Sequence, residues 1–152
     1  MLVVAPVIFL KNCRKRILKK FTLIGVDLSK NLVKYSKDHN LGHYFCVCSL
    51  DAIPFRHQSF TITSINFVFH HLPIQIHEIV LEELIRVTKK NILIRDVCSE
   101  NTLIGRLFKI YWKILDGGTK YRTCLEWEEF LKYLRYQGAK GSYPDWICNI
   151  SL

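Results

Sequence analysis

Asp27 stands two residues after Gly25, at the end of the apolar run Phe21-Thr22-Leu23-Ile24, and Ser29, a good helix N-cap, follows two positions later. The pattern predicts a buried strand, a tight turn at the glycine and a helix over Lys30–His39, with one carboxylate at the strand's C-terminal tip. In open α/β sheets ligands bind outside the carboxyl ends of the strands, and an acid there can accept hydrogen bonds from both hydroxyls of a ribose. Asp27 is therefore a candidate nucleoside anchor; the alternative is a surface carboxylate stabilised by the helix dipole. His70 and His71 follow another apolar run, and an imidazole there can take a proton near neutral pH. The alternative is a histidine that caps the next helix or hydrogen-bonds in the core. The six cysteines, Cys13, Cys46, Cys48, Cys98, Cys124 and Cys148, form no CxxC pair and no zinc spacing. Cys46 and Cys48 share one face of a predicted strand, but two thiols do not make a zinc site, so no metal is expected. All six are expected to be reduced thiols in or near the core of a cytoplasmic protein.

The elements that must position these groups alternate. Strands are expected at Phe21–Val26, Tyr44–Cys48, Ile62–Phe69 and Asn91–Ile94, the last ending at Arg95-Asp96, with a loop centred on Pro54. A helix opens at Pro73 and runs to about Lys89, with Ile76, Val80, Leu84 and Val87 on one face and a Glu82–Arg86 pair at i,i+4. An amphipathic helix follows over Leu103–Leu115, stopped at Asp116-Gly117-Gly118. Thr123 and Glu126 have capping-box spacing for a helix Leu125–Tyr136, and the tail suits two short strands turning at Pro144-Asp145. Strand–helix alternation implies a mostly parallel sheet with helices on both faces.

The 152 residues make one domain, 1–152, and 49% hydrophobic against 23% charged residues excludes disorder. A net charge of +9 favours acidic partners, nucleic acid or a nucleotide-like ligand. Six of the basic residues lie between Lys11 and Lys20, beside the helical apolar stripe Leu10, Cys13 and Ile17, which reads as a solvated helix face. Leu2–Leu10 is apolar but too short to span a bilayer, and no other transmembrane candidate occurs. Tyr111, Trp112, Lys113, Lys120, Tyr121 and Arg122 mix aromatic and basic groups, which can bind nucleic acid, but they fall partly on the apolar face of a helix, so core packing is the expected account.

Four blocks in order resemble class I S-adenosylmethionine-dependent methyltransferases of the small-molecule, type 11-like kind, over roughly residues 10–140. They are Gly25–Ser29; Asp51-Ala52-Ile53-Pro54-Phe55; Ser59-Phe60 with the strand to His70-His71-Leu72; and Glu83-Leu84-Ile85-Arg86-Val87 before the strand ending in Asp96. The resemblance implies a three-layer Rossmann-like fold and S-adenosylmethionine as cofactor. It implies that Asp27 binds the ribose, that Leu28, Ser49, Asp51 and Ala52 lie near the adenine, and that Asn66 and Phe67 floor the pocket. His71 is the implied acceptor-side catalytic group, Glu83 and Arg86 are expected to stabilise their helix, and residues 97–140 form a substrate lid. The chain departs from the family where a glycine-rich loop should precede Leu10: Val3-Val4-Ala5-Pro6-Val7-Ile8 holds no glycine. The first strand is accordingly expected to be missing or altered, and residues 1–20 to be an altered or truncated start. The aspartate after Phe60 is Thr61 here, and Asn91 is expected to turn the chain where the family has proline and glycine. Three functions are carried forward: methyl transfer to a small-molecule or lipid-like acceptor, an RNA or protein methyltransferase, and a non-catalytic or truncated relative acting as a binding partner.

Overall fold

β-Branched and apolar residues run almost unbroken from Phe60 to Ile65, and they form the strand on which the sheet is built. A computed structural model of the chain describes residues 1–4, 21–99, 103–133, 140–142 and 147–151. The basic segment Lys11–Lys20, the stretch after Val4, the expected end of the last helix at residues 134–136 and the turn expected at Pro144-Asp145 lie outside them. The strands are β1 (Leu2–Val4), β2 (Ile24–Asp27), β3 (Tyr44–Val47), β4 (Phe60–Asn66), β5 (Thr88–Arg95), β6 (Cys98–Ser99), β7 (Arg122–Thr123), β8 (Lys140–Ser142) and β9 (Ile147–Ser151). The helices are α1 (Lys30–Asp38), α2 (His77–Val87), α3 (Leu103–Asp116) and α4 (Cys124–Tyr133), with 3-10 turns at Phe69–His71 and Ile74–Ile76.

The main sheet runs β3-β2-β1-β4-β5-β9-β8. Its first five members pair in parallel, and β9 is antiparallel to both β5 and β8. The first strand is thus altered and not missing: Leu2–Val4 fills the slot between β2 and β4, in register with Ile24–Val26 and Thr63–Ile65. Ile65, Ile92 and Ile94 share one buried cluster with Val80, Leu81, Leu84 and Val87 of α2 and Trp127 and Leu131 of α4. Each fully buried aliphatic side chain contributes about 1.5–3 kcal/mol.

Several local expectations change. Gly25 makes no turn; it lies inside β2, where the Phe45 ring comes within 2.9 Å of the place a Cβ would take. β4 stops at Asn66, and Phe69–His71 belong to a 3-10 turn. Helix α2 starts at His77, after a separate 3-10 turn, and ends at Val87, because Thr88 is already extended. The Thr88 hydroxyl donates to the Leu84 carbonyl at 2.5 Å and accepts from Thr63 Oγ1 at 2.6 Å, so one side chain closes the helix and ties the new strand to β4. Asn91 therefore sits within β5 and turns nothing. The capping box at the start of α4 forms as expected: Thr123 N donates to Glu126 Oε2 at 2.6 Å, and Glu126 N to Thr123 Oγ1 at 3.1 Å. Cys98 is disulfide-bonded while Cys46 and Cys48 are free thiols, which corrects the uniformly reduced reading that supported a cytoplasmic setting. Among the described residues no helix is long and apolar enough to cross a membrane, and no group of three His, Cys, Asp or Glu could hold a metal ion.

Candidate active site

The chain order reverses between β1 and β4: β2 and β3 lie on one side of β1, β4 and β5 on the other. Loops leaving neighbouring parallel strands in opposite directions open a crevice at their carboxyl ends. Val4 pairs with Val26 and Ile65, and Ile65 with Ile94. One residue further on, Asp27, Asn66 and Arg95 end their strands at this edge, Asn66 opposite Arg95.

Asp27 is half-buried, and its Oδ1 accepts from the Ser29 amide at 2.8 Å. Its Oδ2 takes no hydrogen bond among the described residues, so one carboxylate oxygen stays open to a ligand. Leu28, next along, is 71% exposed, an apolar side chain held out at the mouth of the crevice. Ser49 is half-buried just beyond β3, and the Cys48 amide donates to the Asp27 carbonyl at 3.1 Å. The neighbouring Cys48 thiol is pushed up to about 12 by burial, then by Cys46 and Asp27, and stays protonated. Phe67 takes the left-handed conformation (φ 52°), rare for a bulky side chain, while its amide donates to the Arg95 carbonyl at 2.7 Å. Asn66 faces inward: it is buried, and its Nδ2 donates to Ser64 Oγ at 2.9 Å.

Asp51 and Ala52 are exposed on a loop that α2 holds from 30 residues away. Glu83 Oε2 accepts from the Ile53 amide at 2.9 Å; Arg86 donates from Nη2 to the Ile53 carbonyl at 2.8 Å and from Nη1 to the Phe55 carbonyl at 2.7 Å. Arg86 pairs with Glu83 and not with Glu82. The Arg86 hydrogen bonds hold the Glu83 carboxyl below its usual range. These two residues thus fasten the 53–55 loop as well as their own helix, which corrects the helix-only expectation; loop and helix are too distant in sequence for spacing to have linked them.

The two histidines separate. His71 is exposed, whereas His70 is 2% exposed and its Nδ1 bonds Asp96 Oδ1. Asp96 also accepts from the Val97 amide at 2.6 Å and the His70 amide at 3.3 Å. A carboxylate acceptor places the proton of the neutral ring on Nδ1. The His70 ring stacks on Tyr121 with centroids 5.3 Å apart, and the His71 ring lies 4.1 Å from it. Gly118 packs so closely that a Cβ would stand 2.9 Å from His70 Cδ2. Beside this pair Arg122, buried, donates from Nη1 to His77 Nδ1 at 2.5 Å and lies over the rings of Phe130 (4.3 Å) and Trp127 (5.0 Å). His77 must then carry its proton on Nε2, which donates to the Leu72 carbonyl at 3.0 Å. Burial, with Arg122 adding to it, pulls the His77 pKa down. Sequence reading missed the His70–Asp96 and Arg122–His77 pairs. The one available signal was that Asp96, like Asp27, ends a predicted strand.

Residues 6–94 match the family described as a methyltransferase domain. The chain belongs to this family, whose cofactor is S-adenosylmethionine. No curated protein sequence matches it. Solved structures share its fold. An S-adenosylmethionine-dependent methyltransferase from Thermotoga maritima is 13% identical (TM-score 0.69, covering 99% of this chain and 80% of that one). The YcgJ protein of Bacillus subtilis is 17% identical (TM-score 0.66, covering 87% and 59%). Magnesium protoporphyrin IX methyltransferase from Synechocystis, solved with S-adenosylhomocysteine, is 12% identical (TM-score 0.62, covering 99% and 72%). The chain spans about three fifths of the Bacillus protein.

Proposed function

We propose that this chain binds S-adenosylmethionine at the carboxyl edge of β2, β1 and β4 and transfers its methyl group to a small-molecule or lipid-like acceptor. The observation that carries the reading is Asp27, a strand-end carboxylate beside the switch point with one oxygen unused among the described residues. Asp27 would accept from the ribose hydroxyls and Leu28 would pack on the adenine, with Ser49, Asp51 and Ala52 along its edge. Phe67 and the backbone of Asn66 would floor the crevice, the Asn66 amide being engaged with Ser64. When bound, the cofactor supplies a methyl group on a sulfonium, already activated by its positive charge. The protein's work is then alignment and exclusion of water. His71, exposed, is the group placed to take an acceptor proton; buried His70, fixed by Asp96, sets where His71 stands. Residues 97–140 would supply the acceptor side.

A second reading, a non-catalytic relative acting as a binding partner, is favoured by one fact: no glycine precedes Gly25. Backbone approach to a cofactor is ordinarily opened by glycine. Incubation with S-adenosylmethionine carrying a tritiated methyl group, against a panel of amine, hydroxyl and lipid acceptors, tests the proposal. Label transfer that Asp27→Ala abolishes supports it; a folded chain that neither binds S-adenosylhomocysteine nor transfers label to any acceptor supports the second reading.

A further inference from the structure

Helix α3 turns its apolar face outward. Leu103, Leu107, Ile110 and Ile114 recur at helical spacing along one stripe, and each is between 57% and 78% exposed. The stripe is about 16 Å long at 1.5 Å per residue. Tyr111 and Leu115 widen it, both exposed. At 100° per residue the buried Gly105 falls on the opposite side, which is the side turned to the body of the protein. Arg106 and Lys113, both exposed, line one flank of the stripe, with half-buried Lys109 further round towards Gly105, and none of the three makes an ion pair among the described residues. The helix carries a single acid, Asp116, its last residue.

We propose that this face of α3 docks on an anionic lipid bilayer surface, lying in the interface plane. An apolar stripe bordered by lysine and arginine, with an aromatic at its margin, buries its aliphatic groups at the acyl boundary while the bases reach the headgroups. Charge decides among occupants. Pairing α3 with α3 of a second copy would gather four cations, Arg106 and Lys113 from each helix, around one seam with one acid at each helix end. An anionic surface satisfies Arg106 and Lys113 at once, and the chain's +9 charge draws it there. The inference does not depend on methyl transfer.

The test is co-sedimentation of the 152-residue chain with phosphatidylcholine vesicles containing or lacking phosphatidylserine, at low and high salt. The expected result is binding to the anionic vesicles that salt weakens. The double variant Leu107→Glu/Ile114→Glu should lose it by at least about tenfold. Lys113→Ala, a milder change at an exposed position, should lower partitioning about fivefold. Thermal melting of each variant confirms that folding is intact. Absence of vesicle binding, equal binding to neutral vesicles, or unchanged binding by the folded double variant would overturn the proposal. So would a concentration-dependent dimer that the double variant abolishes while vesicles stay unbound.

Discussion

Arg86 and Glu83, three residues apart on α2, meet in a two-pronged pair (Nε to Oε1 2.6 Å, Nη2 to Oε2 2.7 Å) whose other side-chain hydrogen bonds, among the described residues, go to the 53–55 loop. Glu83 takes the loop's amide and Arg86 its carbonyls, so the pair reads backbone and is indifferent to the loop's side chains. Asp51 and Ala52, proposed at the adenine edge, stand immediately before the fastened segment. The helix that packs the core therefore also sets the loop proposed to meet the cofactor.

Arg86→Ala should cost about 1–2 kcal/mol of stability, since it removes charged donors from two carbonyls at a partly exposed site. It should also weaken S-adenosylhomocysteine binding by more than that loss explains. Arg86→Lys, which can reach one carbonyl but cannot form the fork, should recover only part of the affinity. Denaturant melts beside calorimetric titrations separate the two effects; full affinity in Arg86→Ala would detach the loop from the site.

Most of the scaffold was legible in the residues. The strand tip at Asp27, the α1 cap at Ser29, the buried stripe of α2 and the Thr123–Glu126 box follow from local spacing, and local spacing is what a sequence displays. The partner of Glu83 and Arg86 was not legible, because it lies 30 residues or more away and is backbone. His70 and His71 were not distinguishable either: the end of β4 and the phase of a three-residue turn bury one and expose the other. In α3 the periodicity was right but its direction was not, for a hydrophobic stripe does not say whether it faces the core. Expected core packing at Tyr111 gives way to an exposed ring.

His71→Gln should lower turnover by about a hundredfold or more while leaving the melting temperature unchanged, because an exposed side chain contributes little packing and general-base catalysis is worth that much. Asp96→Asn should lower both, destabilising a buried pair by about 1–3 kcal/mol and releasing the His70 ring against which His71 stands. Paired melts and turnover measurements decide it; undiminished turnover in His71→Gln would remove His71 from the chemistry.

Stability should fall as pH drops below about 6.5, the ordinary histidine value, because His77 must stay neutral to accept from Arg122. Its folded pKa is depressed, so the unfolded chain binds the extra proton first. The contribution is complete above 6.5 and is lost as pH falls towards the folded value. Urea titrations at several pH values should show the slope, and His77→Gln should flatten it; an equal slope in the variant would assign the dependence to another group.

Gly118→Ala should destabilise the chain by about 1–3 kcal/mol, since the added methyl would press on Tyr121 and on His70 Cδ2. Gly117→Ala, at a left-handed residue (φ 68°) with open space around it, should cost about 1 kcal/mol through backbone strain alone. A smaller loss at Gly118 than at Gly117 would mean that the loop over His70 is not closely packed.

The central claim is that Asp27 anchors the cofactor, and calorimetric titration of the parent chain and Asp27→Ala with S-adenosylhomocysteine and S-adenosylmethionine tests it most directly. The account predicts micromolar binding by the parent and at least about a tenfold loss in Asp27→Ala, with unchanged melting, as expected for a lost charged hydrogen bond. Equal affinity in both proteins, or no binding by a folded and monodisperse parent, would contradict it.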